Sequence, residues 1–143
     1  MGGCRRGWAW GLLLAGATAG CRPAPAPSPG TGAREVVRGY YEALIGQDWA
    51  TAYAALHPEI RSRYGLEQFT RQARHYRRGL GFEPQAVQVR SCEEHGAEAI
   101  AHVALTGRGA ARHRRYQDGA VLRRSAGGWG VVLPDHFGRT RPP

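Results

Sequence analysis

Lysine is absent from this chain: all 20 basic residues are arginine, set against 11 acids. Selection for phosphate binding usually leaves some lysine. Uniform arginine in a chain rich in Ala, Gly and Pro therefore reads first as GC-rich coding bias and a solvated surface. Cysteine is scarce, at three residues. Cys4 and Cys21 fall in an N-terminal segment that looks processed, which leaves Cys92 alone and excludes an internal disulfide. A lone thiol in an oxidising compartment belongs on a buried apolar strand. No apolar run reaches the ~20 residues of a spanning helix; Gly7–Ala19 has 13. The six His show no metal-ligand spacing, and no glycine-rich phosphate loop, nucleophile elbow or Cys-x-x-Cys occurs. No metal and no cofactor is expected, and no internal repeat is visible.

What is present begins with residues 1–20. Arg5 and Arg6 precede the 13-residue apolar segment, and small residues Ala19 and Gly20 precede Cys21. A basic end, an apolar segment and small residues before a cut site are the layout of a secretory signal peptide. Thr18-Ala19-Gly20-Cys21 resembles the lipobox of bacterial lipoproteins, with Thr18 where Leu is usual. The resemblance implies a lipidated Cys21 at the new N-terminus. The expected location is the extracytoplasmic face of a bacterial cell membrane or outer membrane. Arg5-Arg6-Gly7-Trp8 also admits a twin-arginine export signal. Processing removes Arg5 and Arg6 and no acid, so the formal charge of +9 becomes +7. Anionic headgroups or envelope polymers then fit better as partners than nucleic acid, which the location argues against.

Residues 21–33 carry the lipidated Cys and a Pro-alternating linker. Such a linker favours extended polyproline structure and gives roughly 25 Å of stand-off from the membrane. One small domain, 34–137, follows, and a loose tail, 138–143. Val36, Val37, Tyr40, Tyr41 and Leu44 form an apolar stripe that predicts a helix over 33–45, ended by Gly46. Asp48 caps a short helix over 49–56. Residues 58–64 add a turn, and Leu66, Phe69, Ala73 and Tyr76 predict a third helix over 66–79. The pattern then changes to period two: strands over 85–91, 97–106, 112–124 and 129–133, joined by short turns. Gly119, near the middle of the third strand, is a candidate bulge or bend. The fold class is α+β: three N-terminal helices on a curved four-stranded antiparallel meander.

Val-Val-Arg-Gly-Tyr-Tyr-Glu-Ala-Leu, then Gln-Asp-Trp-Ala-Thr-Ala-Tyr-Ala-Ala-Leu, then a meander ending in Gly-Gly-Trp-Gly-Val-Val-Leu, resemble the nuclear-transport-factor-2-like superfamily. The resemblance runs from about Ala33 to Phe137. It implies a cone with a pocket at its open end. Some members of the superfamily are isomerases or dehydratases, many bind ligands or proteins, and many pair through the outer sheet face. A homodimer, an envelope protein or a small apolar ligand are therefore the expected partners. No active-site motif of the family can be matched.

The candidate pocket residues are Tyr40, Tyr53, Tyr76, Tyr116, Asp118 and His102. A carboxylate or imidazole among apolar walls with a Tyr hydroxyl facing it is the chemistry such a pocket would use. His102 and Asp118 lie on neighbouring predicted strands and could pair, although His102 shares its face with Glu98 and Thr106. Arg112, Arg114 and Arg123 are a candidate anion patch. The expected function is a non-catalytic binding or interaction domain on a lipid anchor. The alternatives are a small-pocket enzyme with an acid–base pair and a structural envelope accessory.

Overall fold

The computed structural model describes residues 30–138. The signal segment, Cys21, most of the linker and residues 139–143 lie outside the described residues. Four helices precede four strands: α1 Ala33–Gly46, α2 Trp49–Ala54, α3 Pro58–Arg63, α4 Leu66–Gly79, β1 Glu83–His95, β2 Glu98–Arg108, β3 His113–Ser125 and β4 Gly128–Val132. The turn expected over 58–64 is a helix of its own. His57 caps it, its Nδ1 accepting from the Glu59 amide at 3.3 Å, and Pro58 suits the first turn because it needs no amide donor. Asp48 caps α2 as expected, accepting from the Thr51 amide at 3.1 Å. Helix α1 runs through Gly46 rather than stopping there, and Gln47 takes the left-handed conformation that ends it, at φ 59°.

The sheet is an antiparallel meander in the order β1-β2-β3-β4. Alternation sorts its faces: Ala99, Ala101, Val103 and Leu105 on β2 are buried, while Glu98, Ile100 and His102 are exposed. The buried face joins Val37, Tyr40, Tyr41 and Leu44 of α1 and Phe69 and Ala73 of α4 in one core. Gly119 makes no bulge. Pairing with β2 runs unbroken through His102↔Gly119 and Val103↔Asp118, and the register shifts fall in β1 instead, at Pro84/Ala86 and Val89/Ser91.

Strand β4 is short and lies against the helical layer. The Ala55 carbonyl accepts from the Val131 amide, and the Val131 carbonyl from the His57 amide, both at 2.9 Å. Gly130 permits this approach, because a Cβ there would stand 2.5 Å from His57 Cα. The end of the linker is also docked. Thr31 donates its amide to Glu94 at 3.0 Å and its hydroxyl at 2.7 Å, and the Trp129 indole donates to the Thr31 hydroxyl at 2.7 Å. Cys92 is half-buried on β1, and burial pushes its thiol up. Among the described residues no helix is long and apolar enough to cross a membrane.

Candidate functional site

Strand β4 pairs with β3 only from Val121↔Val132 to Ser125↔Gly128. Among the described residues, the preceding stretch of β3 has no partner on that edge. Along it, Tyr116, Asp118 and Ala120 share the inner face. Beyond β4 the chain leaves the sheet at Leu133 and Pro134, turns with a Phe137 amide to Pro134 carbonyl bond of 2.9 Å, and returns against α4. Phe137 stacks on Phe69 and Tyr76, with ring centroids 6.0 and 5.3 Å apart. Gly138 follows at φ 67°, pressed so closely on Gln72 that a Cβ would not fit. This residue was expected to begin a loose tail, and it is packed.

The sheet edge, α1, α4 and the returning segment enclose a cavity of about 120 Å³. Asp118 sits in its wall. Its Oδ2 accepts from the Tyr41 hydroxyl of α1 at 2.9 Å and from the Tyr76 hydroxyl of α4 at 2.6 Å. Its Oδ1 accepts from the Gly119 amide at 2.8 Å. Burial, and then the Asp118 charge, hold the Tyr41 and Tyr76 phenols far above their ordinary range. Both therefore remain O–H donors at any physiological pH. Tyr40, 3% exposed, also lines the cavity, and its hydroxyl has no partner among the described residues. Burial raises it too, with a smaller contribution from Asp118. Tyr116 completes the aromatic wall, and His136 stands exposed at the mouth.

Four of the six residues expected in a pocket thus line one cavity: Tyr40, Tyr76, Tyr116 and Asp118. Tyr53 does not. Its hydroxyl donates to the Arg61 and Tyr64 carbonyls at 3.0 and 2.8 Å and ties α2 to α3. His102 does not either: it opposes Gly119, one residue from Asp118, and so projects from the other face of the sheet. The imagined Asp118–His102 pair is not assembled. Tyr41 and His136 were missed as site residues. Tyr41 read as one more member of the α1 stripe, and His136 lies past the last predicted strand.

The arginine patch is not assembled either. Arg114 and Arg123 lie nine positions apart on β3, about 30 Å along the strand, and on opposite faces because nine is odd. Arg123 bonds Glu59 at 3.0 Å and Glu98 at 3.4 Å, and Arg112 lies exposed in the β2–β3 turn, its backbone carbonyl accepting from the Gly109 amide at 2.9 Å. A separate basic depression lies at the end of α4, lined by Arg74, Arg77 and Arg78 with Gln47 and Trp49. Arg77 is paired there with Glu83. The outer sheet face exposes Ile100 and Val121, directly opposite each other.

No protein-family model and no curated protein matches this chain. Solved structures do. A ketosteroid isomerase-like protein from Erwinia carotovora atroseptica superposes with a TM-score of 0.51 at 18% identity, covering 71% of this chain and 95% of that one. A protein from Campylobacter jejuni described as an NTF2-like transpeptidase gives 0.51 at 11% identity, covering 70% and 96%. A SEC-C motif-containing protein from Rhodopseudomonas palustris gives 0.53 at 15% identity, covering 68% and 73%. The fold is that of the nuclear-transport-factor-2-like superfamily. In this nuclear-transport-factor-2-like cone the helices wrap one sheet face, and the Asp118 cavity lies between helices and sheet where β4 stops short.

Proposed function

We propose that this chain is a lipid-anchored extracytoplasmic domain that binds a small molecule in the Asp118 cavity. The observation that carries the reading is a carboxylate held by tyrosine hydroxyls from two different helices, in the wall of an aromatic cavity. Polar groups fixed in an otherwise apolar hollow orient a ligand and select it. The fold shared with a ketosteroid isomerase-like protein supports a ligand-holding hollow. Binding is favoured over acid–base chemistry because the Tyr41 and Tyr76 hydroxyls both donate to Asp118 itself, so they occupy the carboxylate oxygen instead of facing it as a separate acid. The lipobox resemblance at Thr18–Cys21 supports the anchor and the location.

Native mass spectrometry of the full chain, purified from its own envelope in mild detergent, tests the binding reading. A stoichiometric small-molecule adduct that is lost in a Tyr116→Trp variant, which narrows the cavity, supports it. Bare protein in every preparation, or capture of a protein partner with the cavity empty, overturns it. Cys21→Ala tests the anchor: the variant should leave the membrane fraction, and retention there would refute lipidation at this residue.

A further inference from the structure

We infer that the cavity takes a small organic cation, an alkylammonium group held between the Asp118 carboxylate and the surrounding aromatic rings. The inference rests on the reading of this cavity as a small-molecule site. It deepens that reading by naming the ligand's charge. An apolar ligand was the expectation from sequence, and the composition of the wall argues otherwise.

The first observation is the sorting of charge. This chain has 20 arginines and a formal charge of +9, yet among the described residues no arginine lines the cavity, and the one carboxylate among them there is Asp118. A surface written in arginine thus encloses a hollow whose fixed charge is negative. The second is the wall itself. Tyr40, Tyr41, Tyr76, Tyr116 and Phe137 present aromatic carbon around that carboxylate, and aromatic faces attract cations, more strongly when water is excluded.

The third is the hydrogen-bond inventory. Asp118 Oδ2 already accepts two phenols, and among the described residues Oδ1 accepts only the Gly119 amide, so Oδ1 keeps acceptor capacity. Tyr40 adds a hydroxyl, in a residue 3% exposed, with no partner among the described residues. Buried polar groups without partners are uncommon and point to a missing one. An apolar ligand would strip water from Asp118 and return nothing. An anion would meet repulsion from the carboxylate. An ammonium group supplies both the opposite charge and the donors. Size agrees: a cavity of about 120 Å³ is near the ~150 Å³ that holds a benzene-sized guest.

Three probes that share a tert-butyl group and differ in charge test this on the full chain: tert-butylammonium, tert-butanol and the slightly larger pivalate, titrated calorimetrically to tens of millimolar. Ligands of about five to seven heavy atoms reach micromolar to millimolar affinity. We expect tert-butylammonium to bind about tenfold or more tighter than tert-butanol, and pivalate weakest of the three. Asp118→Asn should remove most of the preference for the cation while leaving tert-butanol within about twofold. Equal or tighter binding of tert-butanol or pivalate overturns the cation assignment and leaves the small-molecule reading intact. Binding of none of the three overturns both. The ranking of probes needs no variant, so it decides the matter even if Asp118→Asn does not fold.

Discussion

Three tyrosine-to-phenylalanine changes in one cavity should have different signs. Each removes a single oxygen and keeps the ring, so ring packing cancels in the comparison. Tyr41→Phe and Tyr76→Phe each remove one donor from Asp118 Oδ2. A hydrogen bond to a charged group contributes about 1.5–3 kcal/mol net. Asp118 is half-buried and retains its other phenol and the Gly119 amide, so the low end applies, about 1–1.5 kcal/mol for each change. The double variant leaves Oδ2 with no donor and should lose more than the sum, about 3–4 kcal/mol. Tyr40→Phe removes a buried hydroxyl that has no partner, and should be neutral or stabilising by up to about 1 kcal/mol. Urea denaturation followed by circular dichroism reads all four variants, provided the slope with denaturant is unchanged. In thermal unfolding, 1 kcal/mol is worth about 4–8 °C for a domain of this size. If Tyr40→Phe loses as much as Tyr41→Phe, or if the double variant is no worse than a single one, the Asp118 network is not what holds α1 and α4 to the sheet.

The raised phenols of Tyr40, Tyr41 and Tyr76 also carry a pH dependence. Their folded pKa values lie above the unfolded value of about 10, so their contribution is complete below pH ~10 and is lost as pH rises beyond it. Ultraviolet titration should show these three phenolates forming only together with alkaline unfolding, and smooth ionisation of the intact fold would refute their burial. Gln47→Gly relieves a left-handed residue at the end of α1 and should stabilise by about 1 kcal/mol, read as a higher thermal midpoint; a lower midpoint would mean that the Gln47 side chain holds the turn. Gly130→Ala drives a Cβ into the His57 backbone and threatens the two bonds that tie β4 to residues 55–57. It should cost about 3 kcal/mol or more, and an unchanged denaturation midpoint would contradict that close approach.

The sequence by itself determined the elements and their faces. The spacing of Val37, Tyr40, Tyr41 and Leu44 required an amphipathic helix, and the alternation along 98–105 required a strand with one buried side. Period two also separated His102 from the buried positions of β2, so its exposure was legible before any contact was known. Local periodicity says which way a side chain points from its own element, and no more. Which elements meet is set by register and packing between segments far apart in the chain. The pairing of Val103 with Asp118, 15 residues along, placed the carboxylate on the inner face. The early end of β4 left that stretch of β3 unpaired. The packing of α1 and α4 then brought Tyr41 and Tyr76, 35 residues apart, onto one oxygen atom. Tyr41 looked like core and Arg114 with Arg123 looked like a patch for the same reason: spacing along the chain does not encode distance across a fold, which only the tertiary structure decides.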